Sequence, residues 1–218
     1  SFDVLGRLED RNWPTTGAST IFGELQRGKP NQHLFWPNGL PGHNFENGRN
    51  PGVITTDEAG YNDDYRYFLQ GNVKLDIDIP AIEGLSITTS AAYDLYFRQQ
   101  AVWQPRWTLY IADFNNLDSE GVPNLLPETY GPADPRLRRR SEDEHDYLVN
   151  FVANYRKDLE NHMFGVLAGT EYQKFRNNWF DGFRRYFISP QIDQLFAGSE
   201  VEQTTNGSAA EGGRLNYF

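Results

Sequence analysis

The residues of this 218-residue chain whose types could do chemistry fall into a few groups. Glu142, Asp143, Glu144 and Asp146 surround His145, which by residue type alone could be a metal site or an acid/base pair. On an extended chain, however, adjacent side chains point alternately apart, and no second ligand cluster accompanies the run. A solvated charge run is the better account. Asp57, Glu58, Asp63 and Asp64 place hard oxygens near Gly60 and could hold calcium in a surface loop, although EF-hand spacing is absent. His33, His43, His145 and His162 lie far apart without a nucleophile motif, so no catalytic residue is assigned and the chain is not read as an enzyme. Asn206-Gly207-Ser208 has the form of a glycosylation sequon and reads as a flexible turn.

Aromatics and arginines carry the more useful hypothesis. Trp103, Trp107, Tyr110, Trp179, Phe180, Phe183 and Tyr186 fall in irregular stretches with Arg98, Arg106, Arg176, Arg184 and Arg185. Aromatic faces beside guanidinium forks suit sugar rings and peptide carboxylates. Trp103, Trp107, Tyr110, Trp179, Phe183, Arg184, Arg185 and Tyr186 are therefore the candidate contacts to a substrate or partner. The competing role is packing, in which the same rings weld long loops together, and for any single residue packing is the expectation. Arginine outnumbers lysine 16 to 4, which suits bidentate pairing with the many carboxylates.

The elements that must position these groups are strands. From Gly71 to Ile79, Val73, Leu75, Ile77 and Ile79 alternate with Asn72, Lys74, Asp76 and Asp78. The alternation resumes from Leu85 through Phe97 after a short turn, which predicts a hairpin over 67–97. A second hairpin is predicted over 146–174, turning at Lys157-Asp158-Leu159-Glu160-Asn161. Residues 1–65 show no sustained periodicity and are rich in Pro and Gly; they read as a long loop, as do 98–145 and 175–213. Within the last, Ser189, Pro190 and Gly198 suggest a short docked helix. Residues 214–218 read as the start of another strand.

Composition narrows the classes. With 38% hydrophobic residues and a mean hydropathy of -0.68, no apolar run approaches the roughly 20 residues of a membrane helix. A formal charge of -10 opposes nucleic-acid binding. No cysteine is present, so there is neither a disulfide framework nor a thiolate metal site. The N-terminus lacks a signal-peptide pattern and the C-terminus breaks off within an alternating segment, so the chain reads as a fragment.

Arms of about 10–14 residues match what a tilted strand needs to cross a bilayer, and short turns at one end with long loops at the other have the asymmetry of outer-membrane barrels. The apolar set would then meet lipid and the polar set a wet lumen, with Tyr93, Phe97, Tyr147 and Tyr172 forming an aromatic girdle at the lipid interface. A soluble antiparallel sandwich would show the same alternation and stays open on periodicity alone.

Particular strings go further. Trp36-Pro37-Asn38-Gly39-Leu40-Pro41-Gly42, Tyr67-Phe68-Leu69-Gln70-Gly71-Asn72-Val73-Lys74-Leu75-Asp76-Ile77, Gly84-Leu85-Ser86-Ile87-Thr88, Asp134-Pro135-Arg136-Leu137 and Phe183-Arg184-Arg185-Tyr186-Phe187-Ile188-Ser189-Pro190-Gln191-Ile192-Asp193-Gln194-Leu195-Phe196-Ala197-Gly198 resemble the SusC/RagA family of TonB-dependent outer-membrane transporters of Bacteroidetes. Leu215-Asn216-Tyr217-Phe218 is similar to the opening of a further strand there. The resemblance spans nearly the whole chain. It implies an all-β fold: an antiparallel meander of long strands from a transmembrane β-barrel, 22-stranded in full-length members, with long extracellular loops. This chain would be about four strands with three loops, without the plug domain. The implied protein imports glycans or peptides across the bacterial outer membrane with a SusD-like surface lipoprotein, and couples to TonB through an N-terminal part not in this chain. No cofactor is implied. The alternatives are a secreted or surface carbohydrate-binding β-sandwich and a glycoside hydrolase, for which no acid/base pair is located.

Overall fold

A computed structural model describes residues 1–31, 33–43, 46–160 and 162–218, with the side chain of Glu46 left aside. The chain is all-β. Strand β1 (Phe2–Pro14) is followed by two helices, α1 (Ala18–Arg27) and α2 (Pro51–Ile54). Then come β2 (Tyr61–Asp78), β3 (Leu85–Gln104), β4 (Trp107–Leu117), β5 (Pro123–Tyr130), β6 (Arg136–Leu159), β7 (His162–Arg185) and β8 (Thr204–Tyr217). Six of them form one antiparallel sheet in the order β1-β2-β3-β6-β7-β8, while β4 and β5 pair as a separate hairpin. The connections alternate in size. Residues 15–60, 105–135 and 186–203 join strands at one end; 79–84 and 160–161 join them at the other.

Several expected boundaries are corrected. Residues 1–65 do not form one irregular loop, because Phe2–Pro14 pairs with β2 from Phe2↔Val73 to Pro14↔Tyr61. Among the described residues the sheet has six strands rather than about four. Both hairpins outrun 67–97 and 146–174, so the expected loops 98–145 and 175–213 shrink from both sides. The reason is physical: beyond the apolar segment charged and polar residues occur on both strand faces among scattered apolar ones, so the hydrophobic period is lost while the backbone ladder continues. Cross-strand pairs such as Arg98↔Glu142 and Arg140↔Asp181 stabilise those extensions instead. The same logic puts Asn206-Gly207-Ser208 inside β8 rather than in a flexible turn, and starts β8 ten positions before the expected Arg214. The helix expected after Ser189 is a single 3-10 turn, Leu195–Ala197.

The second hairpin turns more tightly than expected, since Leu159 still pairs with His162; Asn161 lies outside the described residues. At the first turn Gly84 has φ 85°, and a Cβ there would stand 1.8 Å from the Arg156 carbonyl oxygen. Only glycine fits, because the turn lies against β6, where the Arg156 N–H donates to Gly84 O at 2.8 Å.

Register assigns the faces. Tyr67, Leu69, Val73, Leu75 and Ile77 of β2 share a face with alternate residues of β3 from Leu85 to Phe97. On the same face lie Tyr147, Val149, Phe151, Ala153 and Tyr155 of β6, then Phe164, Val166, Ala168, Thr170 and Tyr172 of β7. No described residue of this apolar band is buried. Val73 is 46% exposed, Phe151 43% and Phe164 54%. The buried residues cluster instead at the long-connection end. One cluster joins Trp103, Leu137, Phe187 and Ala197; the other joins Val53, Ala59 and Leu109 with Trp107 and Tyr130 packed against it.

Candidate binding face

The opposite face of the sheet is polar, and toward the long-connection end it carries an ion-pair ladder. On β1, Arg7 and Arg11 both reach Glu9, at 2.9 and 2.5 Å. On β2 and β3, the buried Asp64 accepts from Arg66 at 2.6 Å and from Arg98 at 2.7 Å. Farther across, Glu142 of β6 lies 3.7 Å from Arg98 and 3.4 Å from Arg140. Asp181 of β7, also buried, lies 3.6 Å from Arg138. The alternation of strands delivers this row, since every second residue faces the same way. Burial alone would raise the Asp64 carboxyl, but hydrogen bonds from Arg98 and Arg66 outweigh it and hold Asp64 below the usual carboxylate range.

Aromatic rings interleave with these cations. The Arg140 guanidinium stands over Trp179 at 4.5 Å, Arg138 over Phe183 at 5.7 Å and Arg7 over Phe68 at 4.3 Å. Phe68 packs on Tyr96 with ring centroids 5.0 Å apart. Amide groups complete the surface: Gln100 donates to Asn62 at 2.7 Å and Asn177 to Glu144 at 2.5 Å. Chemically, this is a wall of partly exposed aromatic faces, guanidinium donors and carboxamides, suited to hydroxyl-rich or anionic ligands.

The candidate contact residues divide. Trp179 and Phe183 lie on the polar wall, though on strand β7 rather than in a loop. Trp103 does not sit in a loop either: it is buried at the end of β3, edge-on to Phe187 at 4.7 Å, and cannot meet a ligand. Arg184, also on β7, donates to Gly198 O at 3.1 Å and pins the 186–203 connection. Arg185 bridges Asp134 and Glu202, both at 2.6 Å, and stacks on Tyr186 at 4.6 Å. Trp107 donates its indole N–H to Gly48 O at 3.1 Å, and Tyr110 exchanges backbone bonds with Pro41 and His43. Six of the eight are thus engaged in tying connections together. Sequence reading missed Arg7, Arg66, Phe68, Tyr96, Arg138 and Arg140 as members of the wall. The available signal was the polar half of the alternation, followed past the last hydrophobic residue.

The residues expected to form an aromatic girdle, Tyr93, Phe97, Tyr147 and Tyr172, all lie on the apolar face; Phe97, Tyr147 and Tyr172 end the band on their strands, and Tyr93, paired with Tyr147, stands inside it on β3. The margin is oblique to the hydrogen-bond rows. Phe97 pairs with Asp143, and Tyr147 comes four residues nearer the short turn; Tyr147 pairs with Lys174, and Tyr172 comes two residues nearer again.

The acidic run splits between faces, as an extended chain requires: Glu142, Glu144 and Asp146 share the polar face, and Asp143 and His145 the other. His145 Nδ1 lies 2.8 Å from the Tyr93 hydroxyl, and its Nε2 3.4 Å from Asp143. His43 meets Tyr130, whose hydroxyl also donates to Glu128; burial, followed by that hydrogen bond, pushes the Tyr130 hydroxyl up to about 12. The calcium candidate is not assembled, because Asp64 is committed to two arginines. Among the described residues no group of three or more His, Cys, Asp or Glu side chains could hold a metal ion. The sequence matches no protein-family model, and no curated protein is significantly similar to it.

Proposed function

We propose that this chain is a segment of the wall of an outer-membrane β-barrel, part of a TonB-dependent importer that takes up glycans or peptides with a SusD-like surface lipoprotein. The observation that carries the membrane reading is the apolar band. It covers residues 67–77 of β2, 85–97 of β3, 147–155 of β6 and 164–172 of β7. Those spans, 9 to 13 residues long, reach or exceed the roughly 9–11 tilted residues that cross a bilayer's hydrocarbon. An oblique aromatic margin is what strands tilted by 35–45° produce where they meet a flat interface. The strands then continue beyond the band, raising the ion-pair ladder and the long connections above the membrane surface.

The sheet's two edges, β1 and β8, would pair with further strands of a barrel that is 22-stranded in the family, since an open edge is unfavourable in lipid. Import, the lipoprotein lid and TonB coupling rest on the resemblance of the strings quoted above. In this reading the polar wall with Trp179, Phe183, Arg138 and Arg140 lines the substrate path. A β-sandwich would need a second layer over the band; the β4–β5 hairpin instead packs with Val53 and Ala59 at the far end.

The test uses the intact protein in its native membrane, with single cysteines at Val73, Val149 and Val166 on one face and at Asn72 and Asn150 on the other. The first three are expected to resist a water-soluble maleimide and to collide with a lipid-borne nitroxide, while the last two react from water. Reaction of the first three without detergent, or release of the protein by urea alone, overturns the proposal.

A further inference from the structure

At the long-connection end a cleft of about 280 Å³ opens between the start of α1, the 105–135 connection and the polar face of the sheet. Arg49, Arg136, Thr15, Thr16, Thr20 and Trp107 line it, and no carboxylate does, in a chain of net charge -10. Arg136 is the telling residue. Its register neighbours are Gln104 on β3 and Arg185 on β7, and Arg185 is itself committed to Asp134 and Glu202. The Nε of Arg136, like those of Arg139 and Arg140, is sealed from solvent without an acceptor, but where Arg140 pairs with Glu142 and Arg139 donates to Asp193 O, Arg136 makes no ion pair among the described residues. An N–H group shut away from water unpaired is unfavourable, so a guanidinium in this position lacks an acceptor.

The rest of the lining has the same polarity. Arg49 has only a long contact, 3.6 Å, to Glu24. The cap residue of α1 is Gly17, which offers no side chain, and no acidic residue stands in the first turn, so the positive end of this ten-residue helix borders the cleft unneutralised. Thr15 spends its hydroxyl hydrogen on Ala59 O, but those of Thr16 and Thr20 are uncommitted among the described residues. Trp107 has its indole N–H occupied by Gly48 O and offers the cleft only ring carbons.

We propose that this cleft binds an oxyanion: Arg136 and Arg49 take a carboxylate or sulfate group, Thr16 and Thr20 donate to it, and Trp107 walls the apolar side. Guanidinium pairs of this kind prefer planar or tetrahedral oxyanions that accept two hydrogen bonds. A free inorganic anion and an acidic sugar share this chemistry.

Calorimetric titration of the intact protein with sodium sulfate, glucuronate and glucose separates them. Saturable, salt-sensitive binding of sulfate or glucuronate, with none for glucose at the same concentrations, is expected. Tighter binding of glucuronate identifies a ring-borne acid, and tighter sulfate an inorganic anion; both are oxyanions and support the site. Arg136→Gln should weaken binding at least tenfold, Arg136→Lys less, and Thr20→Val two- to threefold. Absence of saturable binding to the native protein, or unchanged affinity in Arg136→Gln with a native near-ultraviolet spectrum, overturns the proposal. If Arg136→Gln fails to fold, unchanged affinity in both Arg136→Lys and Thr20→Val overturns it equally. The measurement does not involve the apolar band, so its failure and that of the membrane reading are distinguishable.

Discussion

The two ends of this sheet solve opposite problems. At the long-connection end Trp103, Leu137 and Leu109 are buried, Asn50 is fully enclosed, and its side chain donates to Leu34 O and Gly42 O at 2.8 Å while accepting from Gly52 N–H. That is how a chain behaves where the solvent is water: apolar groups are covered and polar ones satisfied. Toward the short turns the same chain leaves Leu75, Val149, Phe151, Phe164 and Val166 uncovered on one face. On the proposed reading, this contiguous apolar surface meets the bilayer. The comparison teaches that core-building ends where the proposed membrane begins, and that one continuous strand serves both environments.

Substitutions can break or sharpen this contrast. The largest loss is expected for Trp103→Ala, which empties the centre of a buried cluster: about 3–5 kcal/mol in urea unfolding of the intact protein. A loss near zero would return Trp103 to the list of ligand contacts. Asp64→Asn should cost about 3 kcal/mol, since it leaves Arg66 and Arg98 without their shared carboxylate. The same group predicts a pH dependence. Because the folded carboxyl is held below its ordinary value of 3.8, its contribution is present above that value and is lost as pH falls through the lower folded value. Native protein should therefore show an acid-destabilisation step below about pH 4 that Asp64→Asn lacks.

Phe151→Arg, at the middle of the β6 band, should cost about 2–4 kcal/mol and reduce the amount recovered in the detergent-extracted membrane fraction. Asn150→Arg, one residue away on the polar face, should leave recovery unchanged; equal losses would argue against two different environments. The smallest effect belongs to the ladder's aromatics. Trp179→Ala removes the ring under Arg140 at an expected cost of about 0.5–1 kcal/mol, yet it should weaken ligand retention in an uptake assay. Unchanged uptake would remove Trp179 from the proposed substrate path.

The central parts of β2, β3, β6 and β7 were legible because each sets hydrophobic against polar residues with period 2. β1 was not: Leu5 interrupts its alternation and Gly6 contributes no side chain, so only pairing with Tyr61–Val73 makes it a strand. Of the candidate contacts, Trp179 and Phe183 reached the polar wall, while Trp103 and Arg184 did not, because residue type alone cannot tell a packing ring or a pinning guanidinium from a binding one.

By itself the sequence determined the all-β character, the approximate places of the two short turns and the sharply two-sided strands, since these follow from local alternation and turn chemistry. Only the tertiary structure decided that six strands pair, that the charged extensions remain in the sheet, and that Arg136 faces a cleft without a carboxylate. Those features depend on which residues become neighbours across strands and connections, and neighbours of that kind are chosen by register and packing rather than by any short stretch of chain.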